Sequence, residues 1–147
     1  MRGDTGEKAV YRSTKSSESS PAGLDRALDE LEALIDDQDF IVGHNILRFD
    51  LPQLVAARPR LARFSERLID TLWLNPLAFP KNPYHHLVKH YQDGRLQAGH
   101  KNDPELDAKL VFEVLENQVE AFSSIESDYP DTLLVYHFLA TTRPDSD

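Results

Sequence analysis

Apolar positions recur at helical spacing early in the chain. Leu24, Leu28, Leu31 and Ile35 form one stripe, widened by Ala27 and Leu34, and Ser20-Pro21 reads as N-cap and first helical position. Asp36-Asp37-Gln38-Asp39 ends this helix with the wrong charge for its dipole and reads as a solvated turn. Phe40-Ile41-Val42 then reads as a short buried strand. A helix is expected over residues 50–57, stopping before Pro59, and a short one over 60–66. Residues 68–74 read as a second buried strand running into a turn, and the proline-rich 75–83 as a loop. A short helix over 84–91 ends at Asp93-Gly94, and 95–101 forms a loop. Asp103 caps a long helix over 104–122, and a last helix starts near Pro130 with Leu133, Leu134, Tyr136, His137, Phe138 and Leu139.

This pattern divides the chain into three parts. Residues 1–20 are a polar segment with a possible edge strand at Ala9-Val10-Tyr11; residues 21–140 form one domain; residues 141–147 are expected to be a disordered tail. No internal repeat is visible. Strands alternating with helices predict an α/β layer architecture, helix-rich around a small sheet.

Composition narrows the functional classes. The 147 residues suit one domain, and 40% hydrophobic residues suffice for a core. Sixteen basic and 25 acidic residues leave a net charge of −9, which argues against a surface that coats nucleic acid but not against an acidic enzyme working at a strand end. There is no Cys, so disulfides and thiolate metal sites are ruled out. No apolar run approaches the ~18–20 residues that span a bilayer, and no signal peptide is visible. A cytoplasmic protein without membrane contact is expected.

The chemistry concentrates at two helix starts. Gly43-His44-Asn45 closes an apolar strand, and Phe49-Asp50 opens the next helix. In open α/β sheets, sites gather beyond the carboxyl ends of strands. Asp107 lies on the apolar stripe of the long helix with Leu110, Val111, Val114 and Phe122, whereas Glu105 points to the opposite side. A carboxylate there needs a partner: an Arg from elsewhere, the helix dipole, or a metal. Asp103 is explained as an N-cap. Asp70, ending a strand, reads as a hydrogen-bonded structural acid. His44 reads as fixing its turn by hydrogen bonding. His86 and His90 have metal-ligand spacing without a third ligand in register, so with His85 they read as packed or surface residues, as does His137. His100, in a loop before the acid-bearing helix, is placed to serve as a general base. Two such acids and a His suggest a metal-dependent hydrolase.

These residues resemble the DnaQ-like (DEDD) 3′–5′ exonuclease superfamily, whose fold is RNase H-like. Its second motif is a strand, a His-Asn pair and Phe-Asp, matched by Gly43-His44-Asn45 and Phe49-Asp50. Its Ile-Asp-Thr-Leu strand is matched by residues 69–72, and its third motif, a His followed by Asp-Ala, by His100 and Asp107-Ala108. The resemblance covers about residues 24–122. His86-Leu87-Val88-Lys89 with Asn102-Asp103-Pro104 looks most like exonuclease domains fused to RecQ-like helicases in bacteria.

The resemblance implies two divalent cations, magnesium or manganese, held by four carboxylates about 3.5–4 Å apart, one activating water and the other stabilising the leaving 3′-oxygen. Asp50 and Asp107 would be metal ligands and His100 the base, with His44, Asn45, Phe49 and Asp70 structural beside them. Single-stranded nucleic-acid 3′ ends are the implied substrate, and a helicase region or a second chain the implied partner.

The chain departs from the family in two places. His100 and Asp107 are two residues further apart than usual; the shorter register would use Glu105. The first motif, Asp-X-Glu in an opening apolar strand, is missing, since the one such triplet, Asp103-Pro104-Glu105, opens a helix. The expectation is therefore an RNase H-like fold truncated at its N-terminus, with exonuclease chemistry impaired. The alternative is a non-catalytic remnant, binding nucleic acid or a partner, of a larger exonuclease/helicase protein.

Overall fold

The computed structural model describes residues 21–82, 91–92, 95–96 and 104–141, together with Met1, Gly3, Thr5 and Gly6. The first stripe forms helix α1 (Pro21–Ile35). Strand β1 (Ile41–Gly43) follows, then α2 (Asp50–Ala57), a 3-10 helix (Pro59–Arg67), and strand β2 (Leu68–Asp70). β1 and β2 pair in parallel, with Ile41 opposite Leu68, Val42 opposite Ile69 and Gly43 opposite Asp70. The two predicted strands are thus neighbours, and α2 with the 3-10 helix forms the crossover between them. The architecture is α/β and mostly helical around a two-stranded parallel pair.

One small apolar cluster holds the first half together. Leu28 of α1 packs with Leu61 and Phe64 of the 3-10 helix, and Leu31, Ile35, Ile41 and Leu54 close around them. Along the same seam runs a charge zipper. Asp25, Asp29, Glu32 and Asp36 recur every three to four residues and so share a face of α1. Arg58 donates to Asp29 at 2.6 Å, to Glu32 at 3.2 Å and to the Asp25 carbonyl at 2.9 Å. Arg60 donates to Glu32 at 2.8 Å and Arg63 to Asp36 at 2.8 Å. Arg67 donates to the Asp36 and Gln38 carbonyls, so the α1 C-terminus, acidic in sequence, is capped by a cation from across the seam. Arg63 and Arg67 also lie over the Phe64 ring.

Three elements depart from the sequence pattern. Residues 68–74 are not one strand: β2 stops at Asp70, and Thr71–Ala78 forms helix α3 with Pro76 inside it. The Asp70 side chain accepts from the Leu72 N–H and so caps this helix, which the apolar run conceals. The helix ends with the Phe79 N–H bonded to the Asn75 carbonyl, so the expected 75–83 loop begins only after Ala78. Tyr91–Gln92 (β3) and Arg95–Leu96 (β4) pair antiparallel, where a helix end and a loop were expected; the intervening residues are Asp-Gly, a strong hairpin signal. The rest of the expected 84–91 helix, the edge strand at 9–11 and the 142–147 tail lie outside the described residues.

Helix α4 runs from Pro104 to Asp128, six residues past its predicted end. Ser123 and Ser124 turn their hydroxyls back onto the Val119 and Glu120 carbonyls, so neither breaks the helix before Pro130. α4 packs on β1, α3 and the last helix, α5 (Pro130–Thr141). The predicted docking of the long helix on the strand pair is therefore present. No described helix is long and apolar enough to cross a membrane.

The zipper should show in acid. Hydrogen bonding to Arg60, and then to Arg58, holds the Glu32 carboxyl below the ordinary glutamate range. A depressed carboxyl pKa adds stability that is complete above the unfolded value, about 4.3, and is lost as pH falls through the folded one. Glu32→Gln is expected to be less stable than wild type at pH 7 and by a smaller margin at pH 3, measured by urea unfolding at both. An equal deficit at both pH values would contradict this.

Candidate functional site

The register of the strand pair sets Gly43 beside Asp70 at the carboxyl ends of both strands, where the chain must turn. A side chain at Gly43 would meet Ile46, since an added Cβ would lie 2.6 Å from the Ile46 Cβ. Asn45 then takes a left-handed conformation, φ +63°, which Asn tolerates better than most residues. Two hydrogen bonds tie the turn to α2: Phe49 N–H to the Asn45 carbonyl at 3.0 Å and Leu51 N–H to the Ile46 carbonyl at 2.9 Å.

Asp70 organises this corner. The residue is 4% exposed. Oδ1 accepts from the Asn45 N–H at 2.8 Å and the Leu72 N–H at 3.0 Å, and Oδ2 from the Leu47 N–H at 3.1 Å. One carboxylate thereby anchors the turn after β1 and caps the helix after β2. Asp70 is a hydrogen-bonded structural acid. Thr71, fully buried beside it, donates its hydroxyl to the Gly43 carbonyl at 3.3 Å and lies 2.9 Å from His44 Nδ1. His44 thus braces its own turn.

Asp50 is the acid this corner presents outward. It is the first residue of α2 and is exposed. Phe49, not Asp50, occupies the cap position, without a side-chain cap bond, so capping does not account for this carboxylate. Partial desolvation pushes the Asp50 carboxyl above its ordinary value and the Asp70 charge pushes it further, against a hydrogen bond from its own backbone N–H. Its chain neighbour Phe49 is 61% exposed, and the guanidinium of Arg48, two residues before Asp50, lies 4.9 Å above the ring of Trp73, which is 53% exposed. Neither Arg48 nor Trp73 stands out in the sequence.

Asp107 is half-buried in the first turn of α4, with Oδ1 shielded from solvent. It stands on a different element from Asp50. His100, His85, His86, His90 and Asp103 lie outside the described residues. Among the described residues, no three His, Cys, Asp or Glu side chains group as a metal site.

A buried polar clasp joins α4 to this region. Gln118 of α4 is fully buried and donates to the Thr71 carbonyl at 2.8 Å and to Asn75 Oδ1 at 2.7 Å, locking α4 onto the start of α3. Sequence reasoning missed it, although its spacing was visible: Gln118 follows Val111 by seven residues and Val114 by four, on the buried stripe. Beside it, Asn75, Phe79, Asn117 and Ser124 line an open groove of about 540 Å³ between α3 and α4. Comparison with protein-family models, with curated proteins and with solved structures returns no match.

Two substitutions test the corner. Asp70→Ala leaves three N–H donors without their acceptor and should lower stability by about 3 kcal/mol or more, while Asp70→Asn, keeping one acceptor oxygen, should cost less. Equal stability of wild type and Asp70→Ala in urea would refute the anchor. Asp50 has the opposite sign: a raised carboxyl pKa gives stability that is full below the unfolded value and is lost as pH rises through the folded one. Asp50→Asn should therefore be more stable than wild type at pH 7 and not at pH 3, read by thermal unfolding.

Proposed function

We propose that this chain is an exonuclease-like domain that engages single-stranded nucleic-acid 3′ ends and hydrolyses them little or not at all by itself. The observation that carries this reading is the corner after β1. There Asp70 is consumed by three backbone donors, while Asp50 is left at the surface with a raised pKa. A parallel strand pair delivering an acid beyond its carboxyl ends is where an α/β fold builds a hydrolytic site. Phe49 and Trp73 add aromatic faces and Arg48 a cation at the same place, the ingredients of single-strand binding by base stacking.

Catalysis is limited by the ligand set. Asp50 and Asp107 are oxygen donors suited to magnesium or manganese. Two carboxylates on separate elements do not make up the donor set of a two-metal clamp. Asp70 is buried and already accepts from three backbone N–H groups, so the corner uses it for structure. No hydrolytic step is derived from this set. The arginine-rich stretch from Arg58 to Arg67 adds no phosphate site either, because Arg58, Arg60 and Arg63 face the acids of α1. Nucleic acid is then held locally at the corner and not by a broad basic surface.

End labelling, read together with binding, tests this reading. Labelled single-stranded DNA and RNA are incubated with millimolar manganese and either wild type or the Asp50→Ala, Asp107→Ala double variant. Binding should quench the fluorescence of Trp73, the chain's single tryptophan. Trimming should stay near the level of the double variant. Robust 3′ trimming that disappears in the double variant would show a complete catalytic site. Absence of binding at low salt would overturn the nucleic-acid reading.

A further inference from the structure

A globular helix normally hides one apolar stripe and turns a polar face to water. α5 hides one and leaves another. Leu133 and Tyr136 are half-buried on the side away from Leu134, Val135, Phe138 and Leu139, and the helix packs on α4. Those last four residues are each more than half exposed, as is Tyr129 just before the helix. At 100° per residue the four helical residues fall within an arc of about 140° and form one apolar band, with Asp131 in the same arc at its N-terminal end.

We infer that this band is an interface between two copies of the chain, which pair through α5 about a two-fold axis with the helices antiparallel. The chemistry of the band argues against nucleic acid and anionic membrane as its occupants. Between residues 130 and 141 the one side chain charged at neutral pH is Asp131. A surface for nucleic acid or for an anionic membrane would carry Lys or Arg there. A second copy needs neither. A two-fold pairing requires a patch that complements itself, and a band of Leu, Val and Phe does so. Antiparallel pairing also sends the two Asp131 carboxylates to opposite ends of the contact. The net charge of −9 per chain opposes association through most faces. The outer band of α5 is where two such chains can touch with little repulsion.

The area suits a weak, reversible contact. The four apolar side chains of the band, each more than half exposed, present on the order of 400 Å² per copy, the scale at which an apolar patch marks an interaction site. Two copies would bury about 800 Å², the range of transient interfaces. The pairing is therefore expected to be reversible in the micromolar range. It does not depend on the exonuclease reading.

The test is sedimentation equilibrium of the full chain from about 1 to 200 µM, beside Leu134→Glu, Leu139→Glu. Both positions are exposed, so the double variant should keep the wild-type circular dichroism and unfolding midpoint. Wild type should shift from monomer to dimer across this range and the variant should remain monomeric. The chain has no cysteine, which permits a second measurement. Val135→Cys, near the centre of the band, should form a disulfide-linked dimer on mild oxidation, and Glu116→Cys, on an exposed position of α4, should not. A wild type monomeric at 200 µM would overturn the inference. So would a dimer indifferent to the double variant, or equal crosslinking at both cysteine positions.

Discussion

A single buried carboxylate, that of Asp70, fixes how the two halves of the strand pair end. A charge so little exposed survives only when it is fully hydrogen-bonded, because burial without partners costs several kcal/mol. Asp70 meets that condition with three backbone N–H groups drawn from two loops that are more than twenty residues apart in sequence. The turn after β1 and the start of α3 are therefore one structure. Thr71 and His44 brace it from the strand side, and Gln118 fastens the same helix start to α4. The chemistry of the corner rests on that division of labour: Asp70 builds the corner, and Asp50 is what the corner displays.

Electrostatics elsewhere works toward shape. The acids of α1 and the arginines from 58 to 67 form a zipper over a small apolar cluster. Exposed ion pairs contribute little each, yet Arg58 has its side chain largely covered and serves several acceptors at once, which makes it the strongest member of the seam. The arrangement neutralises the densest basic stretch of an acidic chain. Among the described residues of this half, Arg48, whose guanidinium rests on Trp73, is a cation outside the zipper.

Much of this was legible from residue order. The stripe of α1, the strands at 41 and 68, α2 ending before Pro59, and the long helix opening at Pro104 all follow from periodicity and caps. The structural roles of His44 and Asp70 were legible too. What escaped notice depended on tertiary partners. The run from Leu68 to Leu74 is apolar at most positions, and nothing in its periodicity shows that Asp70 caps a helix and ends the strand there. Asp36 looked like a poor helix end because its compensating cation, Arg67, comes from across the seam. Gln118 and Arg48 are polar residues whose meaning appears only when Thr71 and Trp73 are brought beside them. Asp50 and Asp107 were expected at helix starts, and both stand there, Asp50 as the first residue of α2 and Asp107 in the first turn of α4.

Amide hydrogen exchange measured residue by residue would test the role of Asp70 most directly. The N–H groups of Asn45 and Leu47 sit in an irregular turn, and that of Leu72 in the first turn of a helix, positions where no backbone carbonyl protects them. If the Asp70 carboxylate holds them, these three amides exchange slowly in wild type, with protection approaching that of the β1–β2 pair, and lose it together in Asp70→Ala. Rapid exchange of all three in the wild-type chain, at rates typical of an open loop, would contradict the account.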